Sequence, residues 1–160
     1  MKHQREILDA IRRILRALRE SSKVAEYKHG VSGAQLLVLQ NLNSENPLSI
    51  NELAEKTQTH QSSVSIVVSK LEKAGLVRRK NTKVDARRVE VRLSPKGRRL
   101  LTKDPPDLAQ EKLFSSIAQL SHNEQKQLAG LLSKIVNTAG FNNQPATLFF
   151  EEDIKLDSDD

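Results

Sequence analysis

The chain has no cysteine among its 160 residues. That absence removes disulfides, cysteine-ligated zinc, thiol redox sensing and a cysteine nucleophile together. Aromatic residues make up only 3%, namely Tyr27, Phe114, Phe141, Phe149 and Phe150. The core must then be built from Leu, Ile, Val and Ala, which suits packed helices better than a sheet sandwich. The histidines, His3, His29, His60 and His122, are scattered with no close ligand pair, so no metal and no cofactor is expected. No nucleophile–base grouping or phosphate-cradling glycine loop stands out, and the chain does not read as an enzyme. No apolar run approaches membrane-spanning length. The opening "MKHQREILDAIRRILRALRE" interleaves Arg through its apolar positions, unlike the uninterrupted apolar stretch of a signal peptide. A cytoplasmic protein with no membrane partner is the expectation.

What the chain does have is unevenly placed charge. The formal net charge is +6, yet residues 70 to 99 hold twelve Lys/Arg against three Asp/Glu, whereas "EEDIKLDSDD" at 151–160 holds six acids against one Lys. A concentrated basic segment attracts a polyanion even without specific contacts. Within it, "VEVRL" alternates Val89, Val91 and Leu93 with Glu90 and Arg92, which predicts a half-buried strand. The whole stretch 76–93 reads as two strands around a basic loop.

Helix signals surround this hairpin. Ile7, Leu8, Ile11, Ile14, Leu15 and Leu18 recur at helical spacing, with Gly30 as a stop. Three capping boxes, Ser32/Gln35, Ser49/Glu52 and Ser121/Glu124, predict three helix starts. Ser94-Pro95 predicts a fourth, with proline at the first helical position, and "DPP" at 104–106 must interrupt the helix that follows. The fold class expected is mainly α with a small two-stranded antiparallel β-wing. It divides as residues 1–30, an N-terminal dimerisation helix; 31–100, a winged helix-turn-helix lobe; 101–145, C-terminal dimerisation helices; and 146–160, an acidic tail.

The order "SINELAEK", "TQTH", "QSSVSIVVSKLEKAG", basic hairpin carries the functional reading. In such a unit the second helix enters the major groove of double-stranded DNA. The stripe Val64/Val67/Val68/Leu71 leaves Ser62, Ser65, Ile66, Ser69 and Lys73 on the opposite face. With His60, Gln61 and Ser63 at the leading end, these are the candidate base and phosphate contacts. For Ile66 two readings compete, packing within the chain, which is preferred, and contact with a thymine methyl. In the wing, Arg78, Lys80, Lys83, Asp85, Arg87 and Arg88 are the candidates, with Asp85 bracing Arg87 for the backbone or minor groove. The competing function is a winged helix that binds an acidic protein partner instead of specific DNA.

Four segments resemble the MarR (multiple-antibiotic-resistance regulator) transcription regulators: "SGAQLLVLQNL", "INELAEKTQTHQSSVSIVVSKLEKAGLVRRK", "DARRVEVRLSPKGRRLL" and "LSHNEQKQLAGLLSKI". The most specific piece is Asp85-x-Arg87, then Val91-x-Leu93-Ser94, then Gly97. The turn "TQTH" departs in lacking the glycine often found there. The resemblance implies an obligate homodimer on pseudo-palindromic operators, acting usually as a repressor and released by a small aromatic or phenolic effector. Arg16, Arg19 and Tyr27 on the first helix are the candidates for lining such an effector's pocket.

Overall fold

The computed structural model describes residues 1–42, 45–81, 88–103 and 107–150. The interruption at "DPP", the wing tip with Lys83, Asp85 and Arg87, and the acidic end 151–160 lie outside them. Among the described residues the elements run α1 (Lys2–His29), α2 (Gly33–Asn41), β1 (Leu48–Ser49), α3 (Ile50–Lys56), α4 (Gln61–Lys73), β2 (Val77–Asn81), β3 (Val89–Leu93), α5 (Pro95–Lys103), α6 (Ala109–Ala118) and α7 (His122–Thr138). No helix among them is long and apolar enough to cross a membrane.

All three capping boxes form. Ser32, Ser49 and Ser121 each accept from the backbone N–H three residues on, while Gln35, Glu52 and Glu124 accept from the serine N–H. Each box satisfies two donors that a helix start would otherwise leave unpaired. The Gly30 stop is also observed, in the left-handed conformation at φ 68°.

The core sits around α2, which is apolar on every side: Ala34, Leu36, Leu37, Val38 and Leu39 are all buried. Such a helix has no solvent face and must be surrounded. Val64, Val67, Val68 and Leu71 of α4, Leu53 of α3, Val77, Val91 and Leu93 of the strands, and Leu101 of α5 join it in one cluster. Leu148 returns from beyond α7 to enter the same cluster, which anchors the chain there.

The sheet has three strands in the order β1-β3-β2, one more than the hairpin expected from the sequence. β3 pairs antiparallel with both neighbours, Val91 lying opposite Leu48 on one side and Arg79 on the other. At two residues β1 is too short to show alternation, so it left no sequence signal.

One close approach locks the sheet to the helices. Ser94 Oγ donates to Gly75 O at 2.6 Å and accepts from the Gly97 N–H at 3.0 Å, capping α5 as expected. A Cβ on Gly97 would run into the Leu76 carbonyl, so only glycine lets the first turn of α5 settle onto the link between α4 and β2. We expect Gly97→Ala to destabilise the fold by about 2 kcal/mol or more, because neither backbone can give way. Differential scanning calorimetry checks this, and an unchanged melting temperature would contradict the packing described.

Candidate nucleic-acid interface

The site begins at the turn between α3 and α4. Thr59 N–H donates to Ala54 O at 2.9 Å and Gln58 N–H to Glu55 O at 3.2 Å. This is a Schellman closure, which needs a left-handed residue and usually employs glycine. Gln58 takes that position with φ 51°. The missing glycine of "TQTH" therefore costs local strain without changing the turn, and α4 still starts at Gln61 with His60 exposed just ahead of it.

Burial of the Val64/Val67/Val68/Leu71 stripe fixes the rotation of α4. Gln61, Ser62, Ile66 and Lys73 are exposed, and Ser65 and Ser69 are half-buried at one edge. Ser63 was expected at the contact surface, but it is only 4% exposed. At 100° per residue it falls beside the apolar stripe, so it belongs to the inner face. Ile66, for which packing within the chain was the preferred reading, is 40% exposed.

The two wing strands are each tied to a different helix by an arginine. On β2, Arg78 and Lys80 are exposed, as expected of contact residues. Arg79 was not anticipated. Its Nη2 donates to Ser69 Oγ at 2.7 Å and to Ser65 O at 3.1 Å, and its Nε lies 3.4 Å from Glu72 Oε2. Ser69 Oγ also donates to Ser65 O at 2.9 Å, so the Ser69 hydroxyl is already engaged within the fold. The signal that would have found Arg79 is the parity of β2: Val77 is buried, and in a strand the residue two further on shares its face.

On β3's leading edge, Arg88 was expected to face a partner molecule. Here its Nη2 donates to Glu52 Oε1 and Oε2 at 3.4 and 3.3 Å. Glu52 is the carboxylate of the α3 capping box, and it accepts from the Ser49 N–H at 2.7 Å. Hydrogen bonds from Ser49, backbone first and side chain second, hold its carboxyl below the usual value of 4.5, with Arg88 adding to the effect.

The effector-pocket candidates are not brought together. Arg16 pairs with Glu20 at 3.0 Å in solvent, Arg19 is exposed, and Tyr27 is 93% exposed. Arg16 and Tyr27 stand about 16 Å apart along one helix axis, so they share no pocket. A cleft of about 390 Å³ lies elsewhere, lined by Thr59, His60, Phe114, Leu148 and Phe149 among others. Among the described residues no group of three His, Asp or Glu could hold a metal ion.

A helix, a tight turn, a second helix with an outward polar face, and a basic hairpin anchored to both define a winged helix-turn-helix. Residues 29–88 match the MarR family. The chain is 29% identical over 119 residues, 73% of its length and 77% of the relative's, to the HTH-type transcriptional regulator MgrA of Staphylococcus aureus. It is 29% identical over 114 residues, 70% of its length and 72% of the relative's, to the HTH-type transcriptional repressor MdtR of Bacillus subtilis (strain 168). Among solved structures, a probable transcriptional regulator from Pseudomonas aeruginosa is 30% identical with a TM-score of 0.51, over 75% of this chain and 91% of that one. The chain belongs to the MarR family of DNA-binding transcriptional regulators, which are not enzymes.

The depressed Glu52 carboxyl has a measurable consequence. Its ionised form is favoured in the folded chain, so its contribution is complete above the ordinary value of 4.5 and is lost as pH falls through the depressed one. Glu52→Gln keeps a capping-box side chain, as Gln35 does in α2, but removes the charge and the Arg88 pairing. The stability gap between wild type and variant should therefore be widest near neutral pH and narrow as pH falls below 4.5. Urea melts across that range check it, and a gap independent of pH would contradict the assignment.

Proposed function

We propose that the protein is a homodimeric repressor that binds a pseudo-palindromic operator and is released by a small aromatic or phenolic ligand. In this reading α4 of each protomer enters one of two successive major grooves, and the wings reach outward along the backbone. The observation that carries the proposal is the exposed face Gln61, Ser62, Ile66 and Lys73, set beside the exposed Arg78 and Lys80. Gln and Ser read base edges by hydrogen bonding, Ile66 offers an apolar surface to a thymine methyl, and the cations meet phosphate. Lys83, Asp85 and Arg87 at the wing tip are proposed to join them, with Arg87 in the minor groove. The relative MdtR carries the name of a repressor, which favours repression.

The unpartnered end helices support the dimer. Among the described residues α7 has none buried, and it exposes Leu128, Leu131, Leu132, Ile135 and Val136. α1 likewise exposes Ile7, Leu8, Ile14 and Leu15. Isolated helices gain little stability in water, and a second copy offers the matching apolar surface. We therefore assign 1–30 and 101–145 to dimerisation and 31–100 to DNA. The cleft at the α3–α4 turn is of a size that holds a small ligand and adjoins the leading end of α4, which supports release by shifting that helix.

Selection of duplexes from a random pool, followed by titration against salt, tests the reading. If each protomer neutralises about four phosphates, affinity should fall on the order of a thousandfold or more between 50 and 200 mM salt. Lys73→Ala should weaken all duplexes alike, whereas Ile66→Ala should relax preference at one base-pair position without loss of stability. No selected sequence and no salt dependence would instead favour an acidic protein partner.

A further inference from the structure

Among the described residues of the wing strands, Arg79 is the one cation whose side chain turns inward. Val77 and Arg79 share the inner face of β2, while Arg78 and Lys80 point away. From there the Arg79 side chain lies along α4 beside Ser65, Ser69 and Glu72, positions i, i+4 and i+7 on one side of that helix. β2 is an edge strand, and the Arg79 N–H donates to Glu72 Oε1 at 3.3 Å, adding a main-chain tether to the side-chain one. The second wing attachment, Arg88 to Glu52, is longer at 3.3 to 3.4 Å and more exposed.

We propose that Arg79 is a positioning residue that sets the angle of the wing against the recognition helix, acting through Ser69 and the Ser65 carbonyl without touching DNA itself. The inference rests on the reading of α4 and the wing as the DNA surface. A planar guanidinium reaches a carbonyl, a hydroxyl and a carboxylate at once, which a lysine ammonium on a flexible stem does not reproduce. With the fork in place, the outward cations Arg78 and Lys80 sit at a fixed distance from the exposed edge of α4. That distance determines which phosphates the wing meets when α4 is seated in its groove. Operator choice then depends on a residue that makes no base or phosphate contact.

The test uses the full chain and a duplex selected by the wild-type protein, with phosphate-ethylation interference as the readout. Arg79→Lys keeps the net charge and should weaken binding roughly tenfold. Interference should be lost or displaced only at the outer phosphates that the wing reaches, and kept at those flanking the groove entered by α4. Ser69→Ala should show the same pattern, and the double variant should be no weaker than Arg79→Lys alone, since both remove one linkage. Should Arg79→Lys fail to fold, the interference pattern of Ser69→Ala decides alone. Wild-type binding by Arg79→Lys, additive losses, or weakening spread evenly over all phosphates would overturn the proposal. A wild-type chain that selects no duplex would overturn the regulator reading itself, and this inference with it.

Discussion

Four side chains on one helix govern the rest of the molecule. Val64, Val67, Val68 and Leu71 are each no more than 1% exposed, packed with α2 in the core. Rotating α4 away would uncover all four, at a cost of roughly 1.5 kcal/mol or more for each. Helical pitch then leaves no freedom on the far side, where Ser62, Ile66 and Lys73 must face outward, while Gln61 projects at the leading end of the helix. The outward face is thus a by-product of core packing, and its chemistry is what selection could vary without disturbing the fold.

The wing is held to the neighbouring helices by polar links in addition to the apolar core it shares with them. Val77, Val91 and Leu93 point to the α2 cluster, which leaves Arg79 and Arg88 to tie the hairpin to its neighbours. The two links differ in kind. Arg79 is half-buried and meets three partners on α4, whereas Arg88 is exposed and shares a carboxylate already committed to the α3 cap. Exposed pairs of the second sort contribute little and are screened by salt. Gly97 completes the joint from the other side, since any side chain there would separate α5 from Leu76 in the link between α4 and β2.

Much of this architecture was legible in the sequence because it rests on local chemistry. Each capping box is a four-residue pattern, and each formed. The apolar stripe of α4 follows from spacing alone. Features built by distant residues were not legible. β1 consists of two residues whose only signal is a partner some forty positions away. Ser63 sits at the margin of the stripe, where a rotation of a few tens of degrees decides between inside and outside. Arg79 was hidden because charge suggested solvent, while strand parity with Val77 pointed inward; parity was the better guide. Gln58 shows the reverse case, a turn that forms despite lacking its usual residue.

The central claim is that two copies of α4 present their outward faces to one side of a duplex. Because the chain has no cysteine of its own, Ser62→Cys creates a unique attachment point for a DNA-cleaving iron chelate. On a selected duplex the account predicts two clusters of cleavage, mirrored about the centre and about one helical turn, roughly 10 base pairs, apart. A single cluster, or cleavage scattered without regard to sequence, would contradict it.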